Sequence, residues 1–99
     1  MVRHIIIWDL KDELTEEQKR EAAERIKTEL EALKGQIEGL EGISVIIDTL
    51  PTSNGDIMLD SSFADRAALG VYAMHPLHAA VKDYIGTVVK SRKCVDYET

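Results

Sequence analysis

Cysteine is almost absent from this chain, Cys94 being the only one. A single thiol excludes an intramolecular disulfide and leaves a thiolate metal site too few ligands, so a reducing cytosol is the expected setting. Positive charge is also short. Twelve Lys and Arg stand against 18 Asp and Glu, a net charge of −6, which repels a phosphate backbone and sets nucleic acid aside as a partner. Long apolar runs are missing too. No segment approaches the roughly 20 residues a membrane span requires. Residues 1–9 hold only a short apolar run, broken by charge and without a small-residue cleavage site, and read as a strand rather than a signal peptide. The five aromatics, Trp8, Phe63, Tyr72, Tyr84 and Tyr97, are too few to announce a large hydrophobic pocket.

What is present suits one domain over residues 1–99, with a modest core that would gain from self-association. Residues 2–8 are apolar almost without break. Ile5 and Ile7 share one face with Arg3, while Ile6 and Trp8 share the other with His4. Burial on both sides of so short a strand predicts that a second copy covers one face. Thr15-Glu16-Glu17-Gln18 is a capping box that opens a helix. Its apolar positions, Ala22 through Leu33 to Ile37, recur at helical spacing. On the exposed side, Glu16 is spaced to pair with Arg20, and Glu21 with Arg25. Gly35, Gly39 and Gly42 loosen and end the helix. Residues 43–47 and 57–63 then read as a hairpin. In the second of these strands Ile57, Leu59 and Phe63 face one way, and Met58, Asp60 and Ser62 the other.

Asp65 is placed to open a second helix, and Pro76 breaks it. Proline lacks an N–H and pushes its predecessor out of the helical region, so a helix ends near Met74 and another starts at Pro76. Tyr72 and His78 flank this break and can converge on one pocket. In the following helix Leu77, Val81, Tyr84 or Ile85, and Val88 form the apolar stripe. Residues 93–97 close the chain as a strand, with Cys94 and Asp96 facing opposite to Val95 and Tyr97, and Cys94 expected as a small buried hydrophobe. The order is β-α-β-β-α-β, an α+β, ferredoxin-like subunit with its second helix broken in two.

Arg3-His4-Ile5, the capped helix after Lys11-Asp12, Phe63 before Ala64-Asp65, the segment from Tyr72 to His78 and the closing Val95-Asp96-Tyr97 together resemble the stress-responsive α/β-barrel, or Dabb, family. His75-Pro76-Leu77-His78 matches that family's His-Pro-x-His signature. The resemblance runs nearly end to end. It implies that two ferredoxin-like subunits pack their sheets together into a dimeric α/β barrel. The family includes a plant polyketide cyclase that closes a poly-β-keto chain by aldol condensation. The matching positions of its catalytic histidine and tyrosine are His78 and Tyr72, and His4 matches a further pocket histidine. Other members are plant stress proteins that assemble without known catalysis. Enzyme and non-catalytic oligomer therefore both stand as readings. Some other dimeric α/β barrels are oxygenases acting on haem or quinones, but no haem ligand set is evident here and no cofactor is expected.

On the enzyme reading His78 is the base, since imidazole titrates near neutrality, and Tyr72 donates to an oxygen that gains charge. The bland reading has Tyr72 packed with its hydroxyl on a carbonyl, and His78 satisfying nearby backbone. Three residues are candidates for ligand contact. His4 lies on a face expected to line the barrel, His75 is expected chiefly to cap the joint, and Asp60, also expected to face the barrel interior, would pair with His4 or a ligand. The three histidines are not spaced as a compact metal site, and no metal is expected.

Overall fold

Strict two-residue alternation in the first strand fixes which side of the sheet is buried. The computed structural model describes residues 1–99. In β1, Val2–Leu10, the residues Val2, His4, Ile6, Trp8 and Leu10 are buried, whereas Arg3, Ile5, Ile7 and Asp9 point to the other face. Helix α1, Glu16–Glu31, starts at the expected capping box: Gln18 N donates to Thr15 Oγ1 at 3.1 Å and Thr15 N to Gln18 Oε1 at 2.9 Å. It ends at Glu31, earlier than its apolar periodicity suggests. Leu33 and Ile37 are buried nonetheless, carried by turns rather than by helix. The chain turns because Gly35 and Gly39 take φ of 85° and 87°, which side chains resist. At Gly39 a Cβ would also meet Ala68 Cβ at 2.5 Å.

The ion pairs on α1 run the other way from the spacing-based expectation. Arg20 pairs with Glu24 and Arg25 with Glu29, each four residues ahead. Tertiary partners decide this. Arg20 also reaches Asp48 at 2.6 Å, and the Arg25 guanidinium lies 3.7 Å over the Tyr84 ring.

Strand β2, Leu40–Ile46, pairs with β3, Ile57–Phe63, and β3 with β1, all antiparallel. β2 begins three residues earlier than expected, with a register irregularity between Leu40 and Gly42. Asp65 caps α2, Arg66–Met74, its carboxylate accepting from Ala68 N at 2.8 Å. His75 has extended backbone (φ −71°, ψ 135°) and Pro76 opens α3, Pro76–Val88, as the sequence demands. Val81 and Ile85 form its buried stripe, whereas Leu77 is 40% exposed. β4, Val89–Glu98, pairs with β1 and is longer than the expected 93–97.

The sheet order is β2-β3-β1-β4, giving β-α-β-β-α-α-β with a four-stranded antiparallel sheet, a ferredoxin-like fold. β4 is therefore an edge strand, and all but its first residue are exposed. That position corrects the expectation for Cys94, which is exposed. The face away from His4 carries Ile7, Ile46, Val95 and Tyr97, all exposed. No helix is long and apolar enough to cross a membrane.

Candidate active site

Between the buried sheet face and the two short helices lies a cavity of about 280 Å³, with His4, Ile6 and Trp8 on its floor and Tyr72, His78, Lys82 and Ile85 on its helical wall. Tyr72 belongs to the last turn of α2 and His78 to the first turn of α3, so the Pro76 break turns both toward one space. Their ring centroids are 4.2 Å apart, tilted by 33°. Phe63 backs the Tyr72 ring at 5.0 Å, and the His4 ring stands 6.2 Å from it.

Tyr72 is almost fully buried, at 1% exposed, and its hydroxyl has no hydrogen-bond partner. Burial pushes its ionisation up to about 12, so the proton stays on oxygen across the physiological range. His78 Nδ1 is likewise buried and unpartnered. Its imidazole is shifted below the ordinary value, chiefly by desolvation. The Ala73 backbone opposes that shift, and the charges of Lys82, His4 and Arg92 add to it. At neutral pH His78 is thus an uncharged ring that holds a lone pair. The Tyr72 hydroxyl lacks the carbonyl partner that the bland reading gives it, whereas the His78 ring does meet the Ala73 backbone and only its Nδ1 is left over.

The structure separates the other candidates. His4 is on the cavity floor, and its Nδ1 meets Asp96 Oδ1 at 2.5 Å. Asp96 stands directly across from it on β4. The face that holds His4 is the helix-covered one, not the open face that a second sheet would cover. Asp60 lies on that open face, opposite Ile5 in the ladder, and pairs with Arg3. It therefore neither pairs with His4 nor lines the cavity, because a one-residue offset in a strand changes the face. His75 is also outside the cavity. Its Nδ1 accepts from Leu77 N at 3.1 Å, so the ring caps α3.

Three further residues have places that the sequence reading did not give them. Asp96 is found only through strand register. Lys82 follows His78 by one helical turn, a spacing visible in the sequence, and Arg92 alternates onto the same face of β4 as Cys94 and Asp96. The donor atoms of His4, Cys94 and Asp96 lie within 4.8 Å of one another, so metal-type donors meet here rather than at three histidines. Partial desolvation of the sulfur and the Asp96 charge hold the Cys94 thiol above its usual value, which favours S–H over the thiolate a metal needs.

These features define a class: a ferredoxin-like subunit whose covered sheet face encloses an apolar cavity with polar groups at its tip, and whose other face is bare. The chain belongs to the Dabb family, the stress responsive A/B barrel domain, which it matches over residues 2–99. A dimeric protein of unknown function and ferredoxin-like fold from Bacteroides fragilis is similar with a TM-score of 0.93 and 33% identity, over 99% of this chain and 95% of that one. A Dabb protein from Mesorhizobium loti is similar with a TM-score of 0.76 and 22% identity, over 99% and 95%. The hydroxynitrile lyase of Passiflora edulis shares the fold with a TM-score of 0.78 and 15% identity, over 97% and 90%. A comparison with curated proteins finds no match.

Proposed function

We propose that this Dabb protein binds a small molecule and performs acid–base chemistry at a carbonyl, of the aldol-cyclase or lyase kind, with His78 as base and Tyr72 as proton donor. One observation carries the reading: Tyr72 Oη and His78 Nδ1 are both buried without partners beside one cavity. Buried polar groups are almost always hydrogen-bonded, and leaving one unpaired costs about 1–3 kcal/mol. A ligand carrying oxygen functions removes that cost at both atoms together.

For a β-hydroxy ketone, His78 Nδ1 takes the hydroxyl proton and the O–H electrons form a new C=O. The adjacent C–C bond then breaks, and its electron pair passes to the neighbouring carbonyl as an enolate. The Tyr72 hydroxyl, still protonated, donates a hydrogen bond to that oxygen as charge develops, and the proton held by His78 then passes to the enolate carbon, giving the neutral ketone and the free base. In the reverse direction His78 removes the α-proton and the enolate adds to a second carbonyl, which is an aldol closure. Cleavage of a cyanohydrin uses the same hydroxyl proton with cyanide as leaving group, the reaction named for the Passiflora neighbour. His4, held by Asp96, orients the ligand from the floor.

Release of benzaldehyde from 4-hydroxy-4-phenyl-2-butanone or from mandelonitrile tests the chemistry by absorbance. Wild-type protein is expected to accelerate at least one, and His78→Gln to lose about 10²–10⁴-fold of that rate. No acceleration of either would leave the non-catalytic oligomer as the reading.

The protein acts as a homodimer on this proposal, its bare sheet face covered by a second copy to form the barrel. The exposed Ile7, Ile46, Val95 and Tyr97 and the dimeric state named for the Bacteroides relative support it. Light scattering checks it: wild type is expected at twice the chain mass and Ile7→Lys at the monomer mass, since a lysine there would be buried unpaired. A monomeric wild type at micromolar concentration would contradict it.

A further inference from the structure

Charge is distributed unevenly around the cavity. The chain carries a net charge of −6, yet the cavity wall contains no Asp or Glu and two cations, Lys82 and Arg92. Both are exposed, Lys82 on α3 one turn beyond His78 and Arg92 on β4 opposite Trp8, so they stand at the mouth rather than in the chamber. The arginines elsewhere all have carboxylate partners: Arg3 with Asp60, Arg20 with Asp48 and Glu24, Arg25 with Glu29, and Arg66 with Glu98. Arg92 has no ion pair, and Lys82 has none either. Behind them the chamber is apolar, with Ile6, Leu30, Leu59 and Leu69 in its wall, and ends at the unpartnered Tyr72 hydroxyl.

We propose that Lys82 and Arg92 form an anion-binding mouth, and that the ligand class is a small amphipathic carboxylate whose chain fills the chamber while its carboxylate lies between the two cations. This rests on the cavity being the ligand site proposed above. Arginine offers a planar fork that suits a carboxylate, and lysine a movable point charge. A volume of about 280 Å³ is at the small end for ligand pockets, which fits a medium-chain acid. An oxygen function along that chain would reach Tyr72 and His78, so an oxo or hydroxy acid satisfies both ends of the site.

Trp8 is the only tryptophan and lines the chamber, so its fluorescence reports occupancy directly. The probes are octanoate and its neutral analogue octanamide, titrated at low ionic strength into wild type, Lys82→Met and Arg92→Met. Octanoate is expected to bind wild type about tenfold or more tightly than octanamide. Each substitution is expected to weaken octanoate about tenfold while leaving octanamide unchanged. Both replaced side chains are exposed, and an unchanged thermal midpoint checks that the variants are folded. Octanamide binding as tightly as octanoate, or a carboxylate preference that survives both substitutions, would overturn the anion mouth while leaving the cavity a ligand site. If neither probe perturbs Trp8, the mouth and the ligand cavity both fall.

Discussion

The two faces of the sheet come from the same strands, yet they hold different kinds of polar group. On the open face Arg3 and Asp60 are matched charge to charge among apolar neighbours, although Arg3 Nε is itself buried without a partner. On the covered face Tyr72 and His78 keep polar atoms with nothing to bind, in a part of the molecule where water is scarce. A matched pair on an apolar surface suits a flat partner of fixed shape, such as a second sheet. Unmatched groups around a cavity suit a ligand that brings its own donors and acceptors. The contrast is repeated within four residues at the helical joint. His75 gives its Nδ1 to the backbone of Leu77, whereas the Nδ1 of His78 is left free.

Mutations on the two faces should separate these roles. Ile6→Ala, on the covered face at 1% exposure, is expected to cost about 2–5 kcal/mol at any protein concentration. Ile7→Ala, its neighbour on the open face, should cost progressively less as the protein is diluted toward monomer, because its burial depends on a second copy. Urea unfolding at two concentrations measures both. Equal, concentration-independent losses would remove the distinction between the faces.

Tyr72→Phe is the next largest. Deleting an unpartnered buried hydroxyl is expected to leave stability at pH 7 unchanged or higher by about 1 kcal/mol, the penalty it relieves. Turnover should fall in the same variant. Alkaline pH sharpens this. The tyrosine of the unfolded chain loses its proton near 10, whereas in the folded protein Tyr72 holds it to about 12. The raised folded value means stability that is present below pH 10 and lost above it. Wild type should therefore decline relative to Tyr72→Phe by on the order of 2 kcal/mol as pH rises across that window. His78 works in the other direction. Its value is depressed in the folded state, so the unfolded chain binds its proton first as pH falls below 6.5, and stability and base activity both decline in acid.

Asp60→Asn carries the smallest expected effect. It breaks a partly exposed, solvent-screened pair with Arg3, for little or no loss of stability in the monomer, and should leave probe turnover and octanoate binding unchanged. Reduced turnover would return Asp60 to the list of ligand contacts.

Much of this arrangement is legible in the chain because its causes are local. The capping box at Thr15, the Asp65 cap and the Pro76 break depend on residues within four positions of one another, and the structure has all three. So does the alternation of β1 and β3. What was illegible depends on distant partners. Nothing near His4 in sequence says which face of the sheet the helices cover, so it falls on the covered side and not the barrel side expected for it, whereas Asp60 does lie on the open face and differs only in pairing with Arg3 rather than His4. Asp96 gains its meaning from the register that sets it across from His4. The exposure of Cys94 follows from β4 being an edge, which only the strand order reveals. Lys82 is the exception, since its spacing of four from His78 is local and visible in the chain.

The central claim is that His78 Nδ1 and the Tyr72 hydroxyl are left without partners for a ligand, while the neighbouring His75 is structural. Benzaldehyde release and urea unfolding, measured side by side for His78→Gln and His75→Ala, test it most directly. The account predicts that His78→Gln loses about a hundredfold or more in rate with its unfolding midpoint nearly intact, and that His75→Ala keeps its rate while losing about 0.5–2 kcal/mol as a broken cap. The two variants behaving alike, or trading these outcomes, would contradict it.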